Sequence, residues 1–251
     1  MTAGTGESGA PLLSVRSLGK RFGGLTALQG VSFDVPEGRI VGVMGANGAG
    51  KTTLFSLIAG NARPSEGDIL LRGRSIVGLR PDQVCRLGIG RTFQIVKPFP
   101  ALSVRENLRT AAMFGSAGHR SAAAADAATQ PVLEEIGLAA VADRPASTLT
   151  LSGQKRLEIA RAVATGARLV LLDEVMAGLT PTEVAQMLAT LRHLQAARGL
   201  TLLVIEHVMR ALMDLCSHIV VLHHGQLIAE GPPQAIGADA RVLEVYLGGS
   251  A

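Results

Sequence analysis

Short, largely apolar runs recur along this chain, each closed by glycine or by a charged pair. Ile40 to Met44, Leu169 to Leu172 and Leu200 to Ile205 are the clearest. They are too short for helices and do not alternate, the pattern of strands buried on both faces of a parallel sheet. Leu13 to Leu18, Val31 to Val35, Asp68 to Leu71, Ile89 to Gln94 and Ile219 to Leu222 read as further strands, with turns at Pro36-Glu37-Gly38 and Gly225. Helices are expected over Thr52–Ala59, Pro81–Leu87, Leu102–Phe114, Val132–Ile136, Lys155–Ala164, Thr182–Ala197, Val208–Cys216 and Arg241–Leu247. Gly60 and Gly137 stop two of them. Strand and helix alternate, which predicts an α/β fold with a mostly parallel sheet.

One stretch breaks that rhythm. Val96 to Val163 reads as helix only, and its segment Ser116 to Thr129 is Ala-rich and nearly featureless, broken by Gly118. This predicts a helical insert, 95–163, between two halves of one core, 12–94 and 164–251, after a disordered tail over 1–11. No period of 20–50 residues repeats.

Composition narrows the picture. Apolar residues are 47% of 251, enough for a sizeable core. The charge is only +4 and aromatics are 3%, so no basic, aromatic-studded surface exists for stacking bases, and nucleic acid is a poor partner. Cys85 and Cys216 make no disulfide framework and read as small buried hydrophobes. Met1 to Pro11 lacks the basic-then-apolar order of a signal peptide. No apolar run reaches the ~18 residues that span a bilayer. Yet the mean hydropathy, +0.33, is high, consistent with a large core or with a surface hidden against a partner.

Between the Ile40 strand and the Thr52 helix lies Gly45-Ala46-Asn47-Gly48-Ala49-Gly50-Lys51-Thr52-Thr53, a full match to G-x-x-x-x-G-K-[ST]. Glycines let the main chain approach a ligand, and successive N–H groups there form a concave anion site. The following helix N-terminus favours phosphate. Lys51 can reach the β- and γ-phosphates and the Thr52 hydroxyl can hold Mg²⁺. The chain is therefore expected to bind a nucleoside triphosphate with Mg²⁺.

A second constellation closes the Leu169 strand: Asp173-Glu174. A buried parallel strand delivers such carboxylates to the sheet edge where α/β proteins bind ligands. Asp173 can hold the metal through water, and Glu174 can polarise a water for in-line attack. Gln94 can offer its carbonyl to a metal or be a solvated strand end. Phe22 can stack on adenine or fill core. His207 follows a strand, where a lone histidine is more often structural.

In these residues the chain resembles the ATP-binding subunits of ABC transporters, over about Leu12 to Gly248. The resemblance implies a P-loop NTPase core, an antiparallel β subdomain near the N-terminus and an inserted α-helical subdomain. It makes His207 the switch histidine at the γ-phosphate, Gln94 the link between metal site and membrane partner, and Phe22 the adenine-stacking aromatic. The family's L-S-G-G-Q aligns without a gap on Leu149-Thr150-Leu151-Ser152-Gly153, so Thr150, Ser152 and Gly153 become contacts to a partner's nucleotide, with Leu151 adding unusual bulk. Val175, and Ala177-Gly178-Leu179-Thr180 for S-A-L-D, also depart from the family. With Arg91-Thr92-Phe93-Gln94, Glu206-His207-Val208-Met209 and Val245-Tyr246-Leu247-Gly248, they resemble the ATPases of branched-chain amino acid, amide and urea importers, closest to the "G" type of the two such subunits.

That subgroup implies ATP hydrolysis at the cytoplasmic face of the membrane. The catalytic residues are then Lys51, Glu174 and His207, with Mg²⁺ organised by Thr52, Gln94 and Asp173. The nucleotide contacts are Phe22, Gly45, Asn47, Gly48, Ala49, Gly50, Lys51, Thr52 and Thr53. The implied partners are a second ABC ATPase, identical or not, transmembrane permease subunits and, indirectly, a solute-binding protein. The motifs equally allow an exporter or a lipid or lipopolysaccharide extractor.

Overall fold

The computed structural model describes residues 10–92 and 98–247, with the side chains of 246 and 247 left aside. Gln94 and most of the expected tail lie outside the described residues.

Two sheets carry the fold. The first is antiparallel, in the order β2 (Leu25–Val35), β1 (Leu13–Phe22), β4 (Glu66–Leu71), β5 (Arg74–Ser75). The second places β3 (Ile40–Met44) between β8 (Thr201–Ile205) and β9 (His218–His223). Beyond β8 lie β7 (Leu169–Asp173) and β6 (Ile89–Arg91), all parallel, and β10 (Gln226–Gly231) pairs antiparallel with β9.

The apolar runs lack a polar face because both faces of this sheet are covered. Val41, Val43, Leu169, Leu171, Leu203 and Ile205 point into one core, shared with the antiparallel sheet and α1 (Lys51–Ile58). Their neighbours Ile40, Val170, Leu172, Leu202 and Val204 point into the other, shared with the helices. The period of two is thus present, but hydropathy does not reveal it.

After α2 (Pro81–Arg86) and β6 come α3 (Val104–Phe114), α4 (Ala122–Glu135) and α5 (Leu151–Ala164), which pack on one another. The Ala-rich stretch is not featureless. Ser121 caps α4 by accepting from Ala124 N, and Ala125, Thr129, Val132 and Leu133 form its buried stripe. Small side chains concealed that stripe, and Pro131 sits inside the same helix, so the expected break before Val132 does not occur.

Then follow α6 (Pro181–Arg198), α7 (Met209–Leu215), α8 (Pro233–Ala238) and α9 (Ala240–Leu247). A Thr180–Glu183 capping box with Pro181 starts α6, and Gly199 at φ 61 ends it. The sequence reading has no counterpart for α8.

Candidate nucleotide site

The phosphate loop leaves β3 at the carboxyl edge of the parallel sheet and enters α1. Gly45 is forced by packing: a Cβ there would lie 2.5 Å from the Leu222 carbonyl oxygen and 2.8 Å from the Ala49 Cβ. Gly48 and Gly50 hold φ of 79 and 102. The β9–β10 turn braces the loop from behind, where Gly225 N donates to Ala49 O at 3.1 Å and Gly225 O accepts from Gln29 N at 2.8 Å. Lys51 is 6% exposed, and its Nζ donates to the carbonyls of Gly45 (2.7 Å) and Ala46 (2.9 Å). Burial pushes its ammonium below the usual lysine range, opposed by the charges of Glu174 and Asp173.

A cleft of about 640 Å³ opens over this loop. Its walls are Asn47 to Thr53, Phe22 with Leu25 to Ala27 from the antiparallel sheet, and Glu174 with His207 from the strand ends. Phe22 is 53% exposed and therefore not core filling; Lys20 Nζ sits 4.8 Å from its ring centroid.

Glu174 directly follows β7 and takes a left-handed φ of 50, costly for a residue with a Cβ. Several contacts hold it there. Its N–H donates to Ile205 O (2.9 Å), its carbonyl accepts Lys155 Nζ (2.9 Å), and its Oε1 lies 2.5 Å from His207 Nε2. This turn aims the Glu174 side chain at the cleft while Asp173 stays buried.

Asp173 is 1% exposed. Its N–H donates to Thr92 Oγ1 (3.0 Å), and its Oδ2 accepts from Arg91 Nη2 (3.1 Å). Burial raises its carboxyl above the ordinary aspartate range, against the opposing pull of Arg91. Its Oδ1 is buried and has no hydrogen-bond partner among the described residues. An orphaned carboxylate oxygen beside a threonine-bearing phosphate loop is a donor set suited to a hard divalent cation.

Thr150, Ser152 and Gly153 do not line this cleft. They begin α5 instead: Thr150 is its cap, accepting from Gly153 N at 3.2 Å, and Ser152 is nearly buried. The helix therefore starts four residues before the Lys155 expected from the sequence, because the threonine hydroxyl satisfies the first turn. Leu151 is 46% exposed at that end, next to Gly178.

Sequence reasoning passed over Arg91, Lys155 and Glu206. Arg91 and Glu206 interrupt or flank an apolar run, the one signal that marked them, and Lys155 carried none. Glu206 is 2% exposed, and burial pushes its carboxyl up to about 7 from 4.5. A raised carboxylate contributes stability that is fully present below pH 4.5 and lost as pH rises through about 7. That loss is at most roughly 3 kcal/mol. Glu206→Gln should remove this part of the pH dependence. Denaturant unfolding of both proteins at pH 5 and pH 8 reads it, and identical slopes would rule it out.

Comparison with known proteins agrees with this geometry. Residues 28–177 match the ABC transporter family, and residues 226–251 match the branched-chain amino acid ATP-binding cassette transporter family. The high-affinity branched-chain amino acid transport ATP-binding protein BraF of Pseudomonas aeruginosa is 39% identical, covering 95% of this chain and 98% of its own. The corresponding LivG of Escherichia coli K12 is 38% identical over the same shares. A crystal structure of the ADP conformation of MJ1267, an ATP-binding cassette of an ABC transporter, superposes with a TM-score of 0.86 at 29% identity, covering 96% of this chain and 100% of that one. This chain belongs to the ABC transporter family and is one of its ATPases.

Proposed function

We propose that the cleft hydrolyses ATP with Mg²⁺ and that this chain powers the uptake of branched-chain amino acids or related amides. The observation that carries the reading is the Glu174–His207 pair, 2.5 Å apart, facing the phosphate loop across one cleft. The match of residues 226–251 to the branched-chain subgroup favours uptake over export.

In this reading the loop amides from Asn47 to Thr53 grip the phosphates, Lys51 neutralises their charge and Phe22 stacks on the base. Asp173 and Thr52, with Gln94, hold the cation, which when bound supplies further charge neutralisation at the phosphate oxygens. Glu174 takes the proton of the attacking water, and His207 orients that carboxylate and senses the terminal phosphate. Thr150 to Gly153 cover the nucleotide of a second ATPase subunit, whether a copy or a sister chain, which explains why they stand apart from this cleft. The helical insert 95–163 meets transmembrane permease subunits fed by a solute-binding protein. No helix among the described residues is long and apolar enough to cross a membrane, and the proposed place is the inner face of the plasma membrane, held by those subunits.

Deleting this chain from its host is expected to abolish uptake of radiolabelled leucine. The intact gene should restore uptake and Lys51→Ala should not. Undiminished uptake in the deletion strain would turn the reading toward an exporter.

A further inference from the structure

Glu206 is a buried carboxylate that the hydrolytic scheme above does not use. It directly follows β8, immediately before His207. Among the described residues no cation bonds it, and its partners are two backbone N–H groups. Oε1 accepts from Met176 N at 2.7 Å, and the carboxylate also accepts from His207 N. These two donors belong to different segments. Met176 lies two residues after Glu174 on the turn leaving β7, and His207 opens the turn leaving β8.

An apolar residue here would avoid the cost of burying a charge, and an amide would have to meet both donors at its single oxygen while burying an NH₂ group beside them. A carboxylate has acceptor sites for both. The charges facing it are Lys155 from α5 and Glu174 from the end of β7. Lys155 is itself 5% exposed and bonds the Glu174 carbonyl. The strained Glu174 turn is therefore tied on one side to α5 and on the other to the segment that carries His207.

We infer that Glu206 is a positioning residue for hydrolysis: by bonding Met176 N and His207 N together it fixes the distance between Glu174 and His207. This rests on the proposed roles of those two residues. It predicts a specific division of effects. Glu206 does not line the cleft over the phosphate loop, so nucleotide affinity is expected to be independent of it. Turnover depends on it, because a general base displaced by a fraction of an ångström loses its line on the water.

The test uses the full chain assembled with its membrane subunits, comparing wild type, Glu174→Gln, Glu206→Gln and Glu206→Ala. Glu206→Gln is expected to lower kcat by about tenfold to a hundredfold, with the Kd for ATP unchanged. The His207 ring ¹⁵N signals of the full chain should shift with it. Glu206→Gln keeps the side-chain volume, so it remains informative even where Glu206→Ala does not fold. Wild-type kcat in folded Glu206→Gln, with Glu174→Gln inactive, overturns this inference alone. A wild-type protein that does not hydrolyse ATP, or an active Glu174→Gln, overturns the reading of the site and this inference with it.

Discussion

Glu174→Gln is expected to cut ATP turnover by ~10²–10⁴-fold while leaving nucleotide affinity where it was. In activation free energy this is about 3–5 kcal/mol. The separation of the two effects follows from where the groups lie. In the proposed scheme the phosphates are met by amides of the loop that joins β3 to α1 and by Lys51 at the start of α1. Glu174 approaches from the end of β7, on a different segment, and lines the same cleft. The amide has the volume of the acid and the same backbone requirement at φ 50, so the turn is expected to persist. Its oxygen can still meet His207 as an acceptor, but the amide cannot take a proton from water. Phosphate release and the binding of a fluorescent ATP analogue, measured on the same preparation, separate the two quantities. Full hydrolysis by the variant would remove Glu174 from the chemistry.

The same carboxylate shows what could be read from the chain and what could not. Leu169 to Leu172 followed by two acids predicts a buried strand with carboxylates at its end, and the structure has β7 at Leu169–Asp173. Local pattern suffices because strand, turn and acids are contiguous. The phosphate loop is legible for the same reason, as is its bracketing by β3 and α1. The frame behind the carboxylates is not. Arg91 meets Asp173 from β6, Lys155 meets Glu174 from α5 and Glu206 meets Met176 from the residue after β8. Each partner arrives from an element far away in the sequence, so only the sheet order brings them together. The helix at Ala122–Glu135 escaped for another reason. Its buried face is built partly of alanine and threonine, whose hydropathy contrasts little with the exposed alanines around them.

Gly50→Ala is expected to abolish nucleotide binding and to lower stability, although it adds a single methyl group. Two independent costs coincide at this position. The backbone φ is 102, beyond even the left-handed region that L residues visit at a price of ~1–3 kcal/mol. A Cβ would also stand 2.6 Å from the Ala27 carbonyl oxygen and 2.7 Å from Leu28 Cδ2. The first of these is main chain of β2, which cannot swing aside as a side chain would. The loop must therefore move. Gly50 is the cap residue of α1, and its carbonyl accepts from Leu54 N at 2.9 Å, so the helix start moves with it. Lys51 and Thr52 are the first residues of that helix, and both line the cleft. Gly73 provides the control. Its φ is 75, yet a Cβ there meets nothing within 4 Å. Gly73→Ala should carry the conformational cost alone, about 1 kcal/mol. This is a fall of a few degrees in Tm with ATP affinity intact. Calorimetric titration with ATP and a melting curve for each variant decide the matter. Equal ATP affinity in the two variants would mean that the loop tolerates a side chain at Gly50, and that its geometry is not what holds the phosphates.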